Sequence, residues 1–139
     1  MQIASYLFFK NNAAEAFDFY ARCLGGEVTM KVTIGEMQGS GNAPAEARDL
    51  IAHVRLQVGD AVLMGSDWCG PTPEPYPGIH GAAVSVSVDK PEEAERLFHA
   101  LSEGGEVTMP IAETSWALRF GMFTDRFGAM WMINCSRPE

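Results

Sequence analysis

The sequence Gly-Gly-Glu-Val-Thr-Met occurs twice in this chain, at residues 25–30 and again at residues 104–109. Each copy follows a segment with helical periodicity and precedes a segment in which apolar residues alternate with others. Paired glycines are common where helices end, so turn chemistry alone is one explanation of the repeat. The identity of all six residues, between matching flanks, favours one structural module used twice.

The first module is predicted to fold as β-α-β-β-β. Its strands are expected at residues 3–9, 27–34, 50–58 and 61–66, and its helix lies between the first two strands. Asn12 and Glu15 have the spacing of a capping box that would begin this helix. The helix carries an apolar stripe that ends at Leu24, and we expect that stripe to be buried against the sheet.

The second module repeats this order. Its strands are expected at residues 82–88, 106–111 and 116–124, with a last strand that follows a turn at 125–128 and ends near residue 135. Asp89 and Glu92 form a second potential capping box around Pro91. The predicted organisation is one domain, made of a module at 1–67, a proline-rich linker at 68–80 and a module at 81–139.

Length and charge limit the possible partners. The chain has 139 residues, of which 47% are hydrophobic, and because each module alone would be marginally stable we expect the two to share a core. The formal net charge of −8 argues against nucleic acid or an anionic membrane surface as a partner. No apolar run is long enough to span a membrane, and no signal peptide is evident. Three cysteines without a C-x-x-C pair are typical of a reducing compartment, so we expect a cytoplasmic protein.

Alternation along the strands predicts which side chains lie on the sheet face away from the helices. They include aromatic, aliphatic and polar groups, a mixture that suits a small-molecule cavity. The expected set is Ser5, Leu7, Phe9, His53, Arg55, Gln57, Ser85, Ser87, Met132 and Asn134.

Three residues are candidates for acid–base chemistry. His53 shares the predicted face with Arg55, and an imidazole changes its protonation state near neutral pH. A single histidine on a strand can equally be structural. Glu36 and Glu113 follow the repeated strand in the two modules, where either could act as a base or remain a solvated loop charge.

Six residues are candidate ligand contacts. Aromatic rings could stack on a planar ligand, and a guanidinium group could pair with a carboxylate or phosphate. In a small domain the same side chains are often core or surface groups. The candidates are Phe9, Arg55, Trp68, Trp116, Arg119 and Met132.

The paired modules, the helix end at residues 17–26 and the Asp-Arg-Phe-Gly turn at 125–128 together resemble a known family. This is the vicinal-oxygen-chelate superfamily, which includes glyoxalase I, extradiol dioxygenases and bleomycin-resistance proteins. The segments that resemble its PhnB-like branch are 35–37, 51–53, 64–67, 113–117, 120–121 and 131–134. The resemblance implies an α+β fold, with two tandem β-α-β-β-β modules forming a curved mixed sheet and the helices outside. It also implies a homodimer, which would cover open sheet edges.

In that superfamily a metal ion, where present, is held by His, Gln or Glu from the first and last strands of each module. By the resemblance, these positions fall on Ser5, Met64, Ala83 and Met132. Alanine has no donor atom, a thioether is a soft ligand, and a serine hydroxyl binds divalent ions weakly. We therefore expect no metal at the standard site and no other cofactor, with a divalent ion at a non-standard site as the alternative.

Three functions are compatible with these patterns. The first is a PhnB-like protein that binds a small metabolite in a polar and aromatic cavity without the usual metal, its reaction unassigned. The second is a metal-dependent lyase, isomerase or dioxygenase that uses His53, Glu36 and Glu113. The third is a protein that sequesters a drug or toxin. A methyltransferase is not expected, because the sequence lacks the glycine-rich turn and parallel β-α alternation of the usual cofactor-binding fold.

Overall fold

The computed structural model describes residues 1–37, 41, 44–68 and 75–139 of the chain. These residues form two compact units, Met1–Gly78 and Ile79–Glu139. The division lies inside the segment predicted as the linker, of which residues 69–74 fall outside the described part of the chain. Residues 35–44, in which glycines and a proline without periodicity predict a loop, also lie partly outside it.

Unit 1 contains one long helix and a four-stranded sheet. Its elements are β1 (Ser5–Phe9), α1 (Ala13–Leu24), β2 (Glu27–Thr33), β3 (Ile51–Val58) and β4 (Ala61–Asp67), with short 3-10 turns at Ile34–Glu36 and Ala45–Ala47. The strand order is β1-β4-β3-β2. Strand β1 runs parallel to β4, and the other neighbours are antiparallel.

Unit 2 has the same architecture. Its elements are β5 (Val84–Val88), α2 (Pro91–Ser102), β6 (Glu106–Ala112), β7 (Ala117–Thr124) and β8 (Met130–Ser136). The order β5-β8-β7-β6 and the single parallel pair, β5 with β8, match unit 1. The predicted α+β fold class is therefore confirmed as two four-stranded mixed sheets, each with one helix. No helix among the described residues has the length and apolar character needed to cross a membrane.

The repeated hexapeptide forms the same structure in both units. Gly25 and Gly104 have φ of 70° and 79°, a left-handed conformation that glycine adopts without strain. The second glycine of each pair lies against a neighbouring strand, since a Cβ on Gly26 would come within 2.7 Å of the Gln57 carbonyl oxygen. The edge strand that follows then carries a bulge, at residues 28–30 in β2 and at residues 107–109 in β6. The repeat therefore encodes a helix end, a close strand contact and a bulged edge.

The two predicted capping boxes do not form. Asn12, the N-cap of α1, makes no side-chain capping hydrogen bond. Helix α2 has Lys90 and not the predicted Asp89 at its N-cap, and Lys90 makes none either. Instead the buried carboxylate of Asp67, at the end of β4, accepts a hydrogen bond from the Ala13 backbone N–H at 2.9 Å. Its second oxygen accepts one from the Ile51 N–H at 2.7 Å, so one carboxylate fixes the start of both α1 and β3. The negative charge of this carboxylate also interacts favourably with the positive end of the helix dipole.

Each helix covers one face of its own sheet. In unit 1 the buried rings of Phe17 and Tyr20 pack against Phe9, and in unit 2 Phe98 packs edge-on against Phe123. Leu101 is fully buried as predicted. Leu24 is only partly buried, so the prediction that the whole apolar stripe of α1 is core was wrong at its last residue.

Candidate functional site

We call the face of each sheet that points away from its helix the distal face. On β3, the buried side chains of Val54 and Leu56 lie on the helix side. His53 and Arg55 alternate with them and are partly exposed, which confirms their predicted placement on the distal face of unit 1.

Strand β1 is oriented opposite to the prediction. Phe9 is fully buried, with its ring centroid 5.9 Å from that of Phe17 on α1, so Phe9 lies on the helix side. Tyr6 and Phe8 therefore occupy the distal face, where Ser5, Leu7 and Phe9 were expected. The reason is that residues 6–9 are all large and apolar or aromatic, so alternation carries no information on phase.

Tyr6 and His53 form a hydrogen-bonded pair on the distal face. The Tyr6 hydroxyl oxygen lies 3.0 Å from His53 Nδ1, and the two rings stack with centroids 5.6 Å apart and planes inclined by 24°. Within the described residues neither side chain has another hydrogen-bond partner. We assign the Tyr6 phenol as the donor, because its single proton has no other acceptor among the described residues. His53 Nε2 then carries the ring proton and is available to a ligand.

An aromatic strip extends from this pair and consists of Tyr6, Phe8, Trp68 and Tyr76. Consecutive ring centroids lie 5.2, 5.5 and 6.4 Å apart. Two hydrogen bonds to β1 hold the strip in place. The Tyr76 hydroxyl donates to the Phe8 carbonyl at 2.6 Å, and the backbone N–H of Trp68 donates to the Phe9 carbonyl at 2.7 Å. The structure thus brings Trp68, predicted from the sequence, into one strip with Tyr6 and Phe8, which were not predicted.

Arg55 supplies a positive charge on the same face. It lies directly opposite Met64 on β4 and Met30 on β2, and Met64 in turn lies opposite Tyr6. Its guanidinium contacts the Thr29 hydroxyl at 3.4 Å, and among the described residues it forms no ion pair. An unpaired guanidinium beside an imidazole N–H can bind an anionic group.

The two predicted glutamates are held by local partners. The Glu36 carboxylate accepts a hydrogen bond from the Thr33 hydroxyl at 2.9 Å, and the Glu36 N–H donates to that hydroxyl, so Thr33 caps the 3-10 turn. Glu113 forms an ion pair with Arg137 in unit 2. Both carboxylates are exposed and have structural contacts already.

The remaining candidates lie in unit 2 and do not share one environment. Arg119 lies opposite Cys135 on the helix side of β7 and pairs with Glu95 of α2 at 3.0 Å, so its structural contact is with the helix. Trp116 is 61% exposed and packs against Phe120, with centroids 5.6 Å apart. Met132 lies on the distal face, as predicted, because the buried Trp131 and Ile133 flank it on the helix side.

The strand register corrects two of the expected metal positions. Tyr6, not Ser5, lies opposite Met64 on the distal face, and Ser85, not Ala83, lies opposite Met132; Ala83 precedes β5. The donors become a phenol and a thioether in unit 1 and a hydroxyl and a thioether in unit 2, and neither pair fits a hard or borderline divalent ion. No group of three His, Cys, Asp or Glu side chains placed to hold a metal occurs in the described ranges.

Comparison with known proteins gives consistent matches. A profile of the Glyoxalase/Bleomycin resistance protein/Dioxygenase superfamily matches residues 2–133. The chain is 33% identical to protein YjdN of Escherichia coli strain K12, over 100% of this chain and 98% of YjdN. Protein PA1353 from Pseudomonas aeruginosa has a solved structure that is 47% identical, covers 99% of each chain and superposes with a TM-score of 0.89.

A more distant solved structure comes from Bacillus cereus and is described as a putative 3-demethylubiquinone-9 3-methyltransferase, PhnB protein. It is 20% identical, with a TM-score of 0.78, and the alignment covers 98% of this chain and 100% of that one. At this identity the likeness shows a shared fold.

Proposed function

Since the chain belongs to the glyoxalase/bleomycin resistance protein/dioxygenase superfamily, we propose that it binds a small planar metabolite bearing a carboxylate on the distal face of unit 1. The ligand contacts are His53, Arg55, Tyr6, Phe8 and Trp68. The hard divalent ion used elsewhere in the superfamily has no part in this proposal, because the distal face offers a phenol and a thioether at the relevant strand positions.

The observation that carries the proposal is the Tyr6–His53 pair beside an unpaired Arg55. The hydrogen bond from Tyr6 to Nδ1 leaves His53 Nε2–H as a donor on the distal face. Arg55 lies two residues further along the same strand. An N–H donor and a guanidinium on one face match the two oxygens of a carboxylate. The aromatic strip next to them offers ring faces and edges for a planar ligand.

His53 is also the group in this proposal that can transfer a proton. His53 and Arg55 lie two residues apart on the same face of β3. In the other tautomer, in which Nδ1–H donates to the Tyr6 oxygen, the free Nε2 lone pair can accept a proton from a ligand held there. A metal-dependent reaction through His53, Glu36 and Glu113 is less well supported, because Thr33 and Arg137 hold the two carboxylates.

Removal of the imidazole should weaken ligand binding. We expect His53→Ala to raise the Kd for planar carboxylates, tested as benzoate, salicylate and nicotinate, by about tenfold or more, since a hydrogen bond to a charged group contributes roughly 1.5–3 kcal/mol. Isothermal titration calorimetry measures the Kd. His99→Ala is the matched control, because His99 is an exposed histidine on α2 in the other unit. Equal affinities of wild type and His53→Ala would refute the role of His53.

We also propose that the protein is a cytoplasmic C2 homodimer. Edge strands β2 and β6 expose Met30, Val107 and Met109, and unpaired edges with apolar side chains favour pairing with another copy. Light scattering at micromolar concentration should give about 30 kDa, twice the chain mass of 15.1 kDa. A mass of one chain that does not change with concentration would contradict the dimer. The cytoplasmic location rests on the three cysteines of the sequence, which include no C-x-x-C pair and are typical of a reducing compartment.

A further inference from the structure

Half of the methionines of this protein lie on one face of one sheet. The chain has 8 methionines. On the distal face of unit 2, Met109 of β6 lies directly opposite Met122 of β7, and Met122 lies directly opposite Met132 of β8. Met130, two residues before Met132 on β8, faces the same side. We call Met109, Met122 and Met132 the methionine row.

The bulge in the repeated hexapeptide places Met109 in the row. Val107 pairs with Phe123, whose buried ring lies on the helix side, whereas Met109 pairs with Met122 on the distal side. Thr108 is the extra residue of the bulge between these two pairs. Without it, Met109 would be displaced from register with Met122, because a slip of one residue reverses the face of every side chain.

Neighbouring members of the row can direct their sulfur atoms at a common point. Directly opposed residues of antiparallel strands have Cβ atoms about 4.5–5.5 Å apart on the same face. Methionine is unbranched and has three rotatable bonds, so adjacent thioethers can converge above the strands. Met130 adds a fourth thioether one step along β8. No charged side chain lies within the row itself.

We propose that the methionine row binds a soft monovalent cation, Cu(I) or its analogue Ag(I), through two or three thioether sulfurs. Thioethers are soft ligands that select Cu(I) over hard cations such as Mg²⁺ and Ca²⁺. Its residues differ from those of the carboxylate site proposed in unit 1, and neither proposal depends on the other. It also gives a chemical reason why methionine, a poor ligand for the divalent ions of the superfamily, occupies the Met132 position.

The corresponding row in unit 1 provides an internal comparison. There the same hexapeptide places Met30 on the edge strand, but its neighbour is Arg55 and not a methionine. A guanidinium in the centre of the row repels a cation and separates Met30 from Met64. The structure therefore contains one row that can hold a soft cation and one, of nearly the same backbone, that cannot.

The test is an Ag(I) titration of the full chain in halide-free buffer, followed by calorimetry and native mass spectrometry. Thiols also bind Ag(I), so all measurements use Cys69→Ser as the background variant. The two remaining cysteines, Cys23 and Cys135, are buried, and a thiol titration counts how many of them react. We expect about one Ag(I) per chain. Met122→Leu, which removes the central sulfur, should weaken binding at least tenfold.

Met30→Leu and Met109→Leu form the matched pair. Both change the last residue of the same hexapeptide, at side chains 49% and 42% exposed, and Leu preserves the approximate volume of Met. Met109→Leu should weaken Ag(I) binding several-fold, and Met30→Leu should leave it unchanged; circular dichroism confirms that each variant is folded. Three results would overturn the proposal: no Ag(I) bound by the background variant, equal effects of the matched pair, or full binding retained by Met122→Leu, which would assign the ion to thiols.

Discussion

Replacing Asp125 with alanine should lower the free energy of unfolding by about 4 kcal/mol, because one buried carboxylate satisfies three donors. The side chain is 4% exposed. Its Oδ1 accepts hydrogen bonds from the backbone N–H groups of Phe127 and Ala129 at 2.9 and 3.0 Å, and its Oδ2 accepts one from Trp131 Nε1 at 2.8 Å. Alanine would leave these donors without their carboxylate partner at the turn between β7 and β8. Denaturant unfolding measures the change.

Two controls separate this effect from a general loss of charge. Asp18→Ala removes an exposed carboxylate from α1 and should change the unfolding free energy by no more than about 0.5 kcal/mol. Asp125→Asn keeps one acceptor oxygen, so its effect should lie between those of the two alanine variants. A loss below about 1 kcal/mol for Asp125→Ala would show that the turn does not depend on the carboxylate.

Leu101→Ala should cost about 2–5 kcal/mol, the range for a large aliphatic side chain removed from a packed core. Leu101 is fully buried on α2, between the helix and the sheet of unit 2. Leu24 occupies the corresponding end of α1 but is only partly buried, so Leu24→Ala should cost less than about 2 kcal/mol. The same denaturant experiment compares the two variants. Equal losses of unfolding free energy in the two variants would mean that both helix ends are packed alike, which would contradict the difference in burial.

The repeat and the alternation of apolar residues were sufficient to predict the fold class. They locate the helices and strands of both units because these features depend on local sequence, and the superfamily assignment made from short motifs is confirmed by the profile match. The details that failed depend on contacts distant in sequence. The cap of α1 comes from Asp67, 54 residues after Ala13, and no local spacing indicates it.

The site illustrates the same limit. The alternation in β3 correctly places His53 and Arg55 on the distal face, since buried aliphatic residues mark the other face. In β1 four consecutive apolar or aromatic residues hide the phase, and the choice between Tyr6 and Phe9 is fixed by packing against α1. The Tyr6–His53 bond joins residues 47 apart and requires β4 to lie between β1 and β3. Because the sequence pattern locates the strands but not their order in the sheet, it does not predict the Tyr6–His53 hydrogen bond.

The most direct test of the proposed carboxylate site is the ¹⁵N NMR spectrum of the histidine rings during titration with benzoate, salicylate or nicotinate. The proposal predicts that the Nε2 resonance of His53 shifts as ligand is added, and that the shift saturates according to the Kd found by calorimetry. The ring nitrogen resonances of His99 should keep their chemical shifts. Tyr6→Phe should reduce the shift, because the phenol no longer fixes the tautomer of His53. A saturable ligand that leaves the His53 ring unchanged, or the absence of binding by all three carboxylates, would contradict it.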